Sequence, residues 1–290
     1  DYERENYTEL LWVAEGFTAY YDDHLCRRAQ ILTAEEYLGI VANGITELRR
    51  TPGRMHQSLS EASFDAWIRL YRPDEHTRNS TLSYYGNGAL AAMVLDLRIR
   101  AETLGAKSLD DAMRHLYEQT FANGRGYTKE SVCESLSHAA GCDLSDLVTC
   151  LVDQPLDPDF TEIFAAFGLE LTEKVSQVPY LGLHFKAGTT TISSVIENSP
   201  ADQGRLIPGD EILGLAGLRV TSPSWSKVYD HVAQTGKPLE VLLSRRGRIV
   251  RQSITPELRP HGKHRLAASK NASKQQVELR EAWLFETPQS

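Results

Sequence analysis

Cysteine is scarce: four residues in 290, at Cys26, Cys133, Cys142 and Cys150. They are too few and too scattered for a disulfide scaffold, and no C-x-x-C occurs, which argues against a thiolate metal site. Long apolar runs are missing as well. None approaches the ~18 residues of a membrane span, so no spanning helix is expected. The basic residues are not interleaved with aromatics, and no nucleic-acid motif is present, so nucleic acid is not an expected partner. Among the nine histidines no two stand four residues apart. What remains is 41% hydrophobic content at a mean hydropathy of −0.36. That composition suits a soluble globular chain with a real core. The compartment is left open, with the cytoplasm slightly favoured.

Charge is divided unevenly. Residues 1–175 hold 16 basic and 29 acidic side chains, a net of −13, whereas 176–290 hold 15 and 10, a net of +5. At this length two domains are the natural expectation, and the shift puts a boundary near 175. The first part reads as helical. Leu10, Ala14, Phe17 and Tyr21 form a helical stripe, with Glu15 one position off it. Thr33-Ala34-Glu35-Glu36 is a capping-box pattern opening a helix to about Arg50, and Thr51-Pro52-Gly53 stops it. Trp67 and Tyr71 are expected in the core. Ser83 to about Leu104 is a long helix, Ser108 caps another, and Thr128 and Asp143 look like further N-caps.

From Pro179 the texture changes. Strand-like runs at Gly182–Phe185, Thr190–Ile196, Glu211–Leu215, Leu239–Ser244 and Ile249–Ile254 are separated by turn signals such as Pro208-Gly209-Asp210 and Arg246-Gly247. One helix, about Trp225–Gln234, interrupts them. Residues 259–276 are polar and basic and read as a loosely held tail, with His261 and His264 solvated in it. An amphipathic segment at 276–284 is expected to dock back.

The run Glu5-Asn6-Tyr7-Thr8, then Leu11-Trp12-Val13-Ala14-Glu15-Gly16-Phe17-Thr18-Ala19-Tyr20-Tyr21, resembles the glycyl-aminopeptidase-like family of PDZ-containing zinc metallopeptidases. A similar helix occurs in the aminopeptidase N group. The resemblance implies that Glu15 is a ligand of one zinc ion. A carboxylate and two imidazoles leave a fourth position open for water. The H-E-x-x-H helix that carries the imidazoles in such peptidases is not in this sequence, so a missing upstream segment is expected to supply them. Ser83-Tyr84-Tyr85-Gly86-Asn87-Gly88-Ala89-Leu90 resembles a second family segment, except that Asn87 stands where lysine is usual. By that match Tyr85, or Tyr84 in the alternative register, donates its phenol to the reacting carbonyl. Arg54 either binds a substrate carboxylate or pairs with an acid, the structural role being favoured, and the Asp96–Arg100 segment reads as helix packing and salt bridging. Pro179-Tyr180-Leu181-Gly182-Leu183, with Asn198-Ser199-Pro200-Ala201 and Pro208-Gly209-Asp210-Glu211, resembles a PDZ domain. There Leu181, Gly182 and Leu183 would form the loop that takes a peptide's terminal carboxylate.

The implied fold class is multidomain α+β. The mostly α-helical C-terminal half of a thermolysin-like catalytic domain (1–175) is followed by a β-rich PDZ domain (176–258) and a tail (259–290). The implied function is part of a zinc aminopeptidase preferring small N-terminal residues. Its partners would be peptide or protein substrates, with C-terminal peptides at the PDZ groove, and the fragment alone is expected to be inactive. The alternative is a non-catalytic PDZ-bearing adaptor.

Overall fold

The computed structural model describes residues 3–285 and is a mixed α and β structure built around two hydrophobic cores. The first part runs through α1 (Leu11–Arg28), α2 (Ala34–Arg50), α3 (Leu59–Phe64), α4 (Thr77–Ser80), α5 (Gly86–Glu102), α6 (Leu109–Gln119), α7 (Lys129–Ala140), α8 (Ser145–Val152) and α9 (Phe160–Ala165). Local chemistry sets the boundaries. The Thr33 hydroxyl accepts from the Glu36 N–H, and the Glu36 carboxylate accepts from the Thr33 N–H at 2.8 Å. Ser108 and Thr128 cap α6 and α7 in the same way. Helix α5 is apolar nearly all round, with Leu90 to Leu95, Leu97 and Ile99 buried, so it runs through the middle of the first core.

The second part contains β1 (Leu169–Lys174), β2 (Pro179–Tyr180), β3 (Leu183–Phe185), β4 (Ile192–Val195), α10 (Pro200–Gln203), β5 (Glu211–Leu215), β6 (Leu218–Arg219), α11 (Trp225–Val232), β7 (Leu239–Arg245), β8 (Arg248–Ile254), β9 (Glu257–Leu258), β10 (Lys263–Ala268) and α12 (Lys274–Leu284). Strands β6-β5-β7-β8 form an antiparallel sheet. The β7–β8 hairpin turns at Arg246 and Gly247, both left-handed at φ 50° and 80°, the backbone a two-residue hairpin loop demands. Asp210, 1% exposed, is held by Arg245 through two bonds of 2.8 and 2.7 Å, which fixes the Pro208-Gly209-Asp210 turn to the sheet. Leu181, Ile192, Ile212, Leu215, Val241 and Leu243 fill the second core.

The C-terminal segment overturns the expectation of a loose tail. Strand β10 pairs antiparallel with β1 from Leu169↔Ala268 to Lys174↔Lys263. Over its first four residues it alternates: His264 and Leu266 point inward, while Lys263 and Arg265 face solvent. The outward basic residues made it read as tail. His264 is therefore buried rather than solvated, with its backbone N–H donating to Thr46 Oγ1 at 2.9 Å. Helix α12 contains the expected docking segment and buries Trp283 fully, among Tyr37, Phe164 and Phe167. Residues 286–290 of the expected tail lie outside the described residues.

Polar bonds pin α12 at the centre of the first core. The Asp96 carboxylate accepts from Tyr20 Oη at 2.6 Å, Leu109 N–H at 2.7 Å and Arg100 Nε at 3.0 Å. Arg100 reaches on to the Ala282 carbonyl at 2.8 Å, and Trp283 Nε1 donates to Tyr20 Oη at 3.1 Å. Burial would raise the Asp96 carboxyl, but Arg100, His24 and these donors outweigh it and hold it below the usual carboxylate range. Its folded-state value is depressed, so the ionised group adds stability above its unfolded value and that stability is lost as pH falls through the folded one. Asp96→Ala is expected to cost about 3–5 kcal/mol, because it strands a buried guanidinium. Chemical denaturation at neutral pH reads that loss, and an unchanged midpoint would contradict it.

Candidate active site

Two glycines bring the candidate residues together. Helices α1 and α5 cross at Gly16 and Gly88. A Cβ built on Gly16 would stand 2.7 Å from Gly88 Cα, and one built on Gly88 would stand 2.9 Å from Gly16 Cα. No side chain fits that crossing. Glu15 precedes Gly16, and Tyr84 and Tyr85 lie one turn before Gly88, so the contact sets both motifs side by side. Gly16→Ala is expected to push the helices apart at a cost of at least about 1–3 kcal/mol. A thermal midpoint equal to that of the parent chain would show that the crossing tolerates a methyl group.

The phenols around this crossing differ in access. Tyr84 is 1% exposed and its hydroxyl lies 2.8 Å from that of Tyr71. Tyr85 is 36% exposed, its ring stacks on Tyr84 at 4.7 Å, and its hydroxyl lies 3.1 Å from Tyr71 Oη. The hydrogen bond to Tyr71, then burial, raise the Tyr85 phenol, and the negative charge of Glu15 adds to the effect. Burial chiefly, together with Tyr71 and Tyr85, raises Tyr84 further. Burial, then Glu15, also raises Tyr127, in the loop before α7. Each phenol is therefore a neutral O–H donor at neutral pH. Glu15 itself is half-buried and has no hydrogen-bond or ion-pair partner among the described residues.

Tyr71 and Trp67 were expected in the core and are not there: they are 52% and 41% exposed. Helix α3 ends at Phe64, so the helical period that would bury them breaks off in the turns that follow. Trp67 Nε1 instead donates to the Asn6 carbonyl at 3.2 Å, and Tyr7 lies 5.4 Å from Phe64. Tyr71 and Tyr127 were missed as site residues. Tyr127, isolated in Gly124-Arg125-Gly126-Tyr127, gave a weak signal, being an aromatic in a glycine-rich loop. Tyr71 gave none. Arg54 pairs with Asp157 at 3.1 Å, as its structural reading implied.

The Leu181-Gly182-Leu183 loop lies elsewhere, on the second core. Leu181 is buried and Leu183 begins β3. The carbonyls of Leu181 and Gly182 accept from Ala201 and Ile196 N–H, each at 2.9 Å, while neither residue's own N–H donates to a carbonyl among the described residues. Gly182 has φ +83°, and a Cβ there would sit 2.2 Å from Ser199 Cβ. The obstruction that glycine avoids is thus the chain's own serine. Between β3 and α11, Phe185 meets Trp225 edge-on at 4.5 Å, and Trp225 stacks on Tyr229 at 5.5 Å.

Among the described residues no three His, Cys, Asp or Glu side chains gather to hold a metal. These residues by themselves therefore do not close a metal site. No helix among them is long and apolar enough to cross a membrane.

Residues 1–91 match the M61 glycyl aminopeptidase family. An aminopeptidase N family protein from Idiomarina loihiensis superposes on 98% of the chain at a TM-score of 0.87, with 25% identity. The chain spans 50% of that protein's length. Slighter likenesses are to the HtrA-type protease AlgW with decapeptide (24% identity, 28% of this chain and 30% of that one, TM-score 0.25) and to the HtrA3 PDZ domain bound to a phage-derived ligand (18% identity, 31% and 90%, TM-score 0.24). No curated protein matches. Over its first 91 residues the chain is glycyl-aminopeptidase-like, and that stretch holds Glu15, Gly16, Tyr71, Tyr84, Tyr85 and Gly88. The matched family and this structural neighbour are both described as aminopeptidases.

Proposed function

We propose that this chain is the C-terminal part of a zinc-dependent aminopeptidase preferring small N-terminal residues. The mostly helical C-terminal half of a thermolysin-like catalytic domain would be followed by a PDZ module. The observation that carries the reading is the Gly16–Gly88 crossing, which sets an unpaired carboxylate beside an accessible, neutral phenol. Glu15 would hold the zinc together with two imidazoles from outside these 290 residues. A zinc so held lowers the pKa of bound water to about 7 and polarises the scissile carbonyl. Tyr85 would donate its O–H to the oxygen of that carbonyl as charge develops there. Tyr71, bonded to both neighbouring phenols, would orient the Tyr85 hydroxyl. The exposed aromatic face of Tyr7, Phe64, Trp67 and Tyr71 is where the upstream part would pack.

In the longer protein, hydrolysis of peptides with N-terminal glycine or alanine should stop on removal of zinc by a chelator and return on its replacement. Activity indifferent to chelation would overturn the reading. The 290-residue chain alone is expected not to bind zinc tightly and to be inactive, since one carboxylate cannot close a site. A sub-micromolar affinity by titration calorimetry would count against that. Full-length sequence with no imidazole pair would favour a peptide-binding adaptor instead.

For the second module we propose that peptides with a free C-terminal carboxylate dock beside Leu181-Gly182-Leu183 and add to the edge of β3. The N–H groups of Leu181 and Gly182, which donate to no carbonyl among the described residues, support this. Affinities would be micromolar, about −8 kcal/mol. Amidating the peptide should abolish binding, and equal affinity for both forms would leave the module structural.

A further inference from the structure

A second site lies where the two parts of the chain meet. Arg49 at the end of α2, Arg54 in the turn after it, Arg78 on α4, His184 on β3, and Arg259 and His261 after β9 line one cleft of about 290 Å³. This cluster stands in a chain of net charge −8. Arg54 is paired with Asp157, and Arg50, also on the cleft, donates to the His261 carbonyl at 3.1 Å and lies 3.8 Å from Glu47. The other three guanidiniums have no carboxylate partner among the described residues. Arg49 faces the ring of His264 at 3.3 Å, Arg259 lies 4.9 Å over the ring of Tyr180, and Arg78 is exposed without a bond. The lining contains two carboxylates, Glu47 and Glu197, and Glu197 is engaged by His56 at 3.2 Å.

Burial, then Arg78 and Arg259, lower His184; burial, then Arg54, lowers His261. Both rings are neutral at pH 7 and can turn either a donor or an acceptor to a ligand. Leu183, in the peptide loop proposed above, also lines this cleft, whereas Phe185 packs on the second core beside Trp225. The walls come from both parts of the chain, and Asn79 locks them at the rim. Its Nδ2 donates to the Val195 carbonyl at 2.8 Å, and its Oδ1 accepts from Glu197 N–H at 3.0 Å.

We propose that this cleft binds a small, multiply charged oxyanion, phosphate being the simplest, and that the bound anion ties the two parts together. Guanidiniums present planar forks of N–H donors matched to phosphate oxygens. Three of them line one cleft without a carboxylate partner among the described residues, and a dianion would offset the repulsion among them. The site is independent of the peptidase reading.

Thermal unfolding and titration calorimetry of the chain with inorganic phosphate test it, with sodium chloride at equal ionic strength as control. A ligand that binds only the folded state raises the midpoint in a saturable way. We expect that rise with phosphate and not with chloride. The double variant Arg78→Gln, Arg259→Gln should lose at least tenfold in affinity, while Arg98→Gln, on the exposed face of α5, keeps it. Arg78→Gln alone, at an exposed residue without a bond, carries the same test if the double variant does not fold. Equal shifts with chloride, or undiminished phosphate binding by the Arg78 variant and the double variant, would overturn the proposal.

Discussion

Glu15→Ala in the longer, zinc-replete protein is expected to lose bound metal and peptidase activity together, with the fold retained. The side chain is half-buried on the first turns of α1 and makes no bond that holds the helix. Its removal leaves the core residues Trp12, Val13 and Phe17 in place, so far-ultraviolet circular dichroism should not change. Losing a supporting residue behind a metal ligand typically costs 10–100-fold in affinity, and losing a ligand should exceed that. Zinc per chain by elemental analysis is the deciding measurement. A variant that retains full zinc while losing activity would make Glu15 a substrate-contacting group rather than a ligand.

Much of the framework was legible because its causes are local. The boxes at Thr33–Glu36 and Ser108–Asp111 and the turns at Pro208–Asp210 and Arg246-Gly247 each lie within four residues and formed where expected. The site was legible only in pieces. Gly16 and Gly88 are visible as glycines, but nothing in the chain says that each is small because of the other, 72 positions away. Tyr71 reads as core by composition, and only the early end of α3 places it beside Tyr84 and Tyr85. Strand β10 was hidden for a related reason. Its outward Lys263 and Arg265 dominate a short segment, whereas its inward His264 and Leu266 have meaning only against α2 and β1. Trp283 likewise depends on partners at Tyr20, Tyr37 and Phe164 that no local pattern reveals.

Tyr85→Phe in the intact enzyme is expected to lower kcat by about 10²–10³, with zinc content retained and KM little changed. The substitution keeps the ring and its stack on Tyr84 and removes only the hydroxyl. If that hydroxyl meets the carbonyl oxygen only as charge develops on it, the loss falls on the transition state, about 2.7–4 kcal/mol, and not on substrate binding. Two features of the site favour such a donor. The phenol is accessible, and Tyr71 and Glu15 hold it in the protonated form. Raising the pH through the neutral range should therefore not titrate it away. Tyr84→Phe supplies the contrast. Its hydroxyl is buried against Tyr71, so its removal should cost stability, roughly 0.5–1.5 kcal/mol for one hydrogen bond, and leave kcat nearly intact. Were the large kcat loss to follow Tyr84→Phe instead, the donor would be the inner tyrosine, and the pair would have to rotate about α5 when substrate binds. Were neither variant impaired, the oxyanion donor would lie outside this chain, and Tyr71, Tyr84 and Tyr85 would be a hydrogen-bonded wall of the site and nothing more.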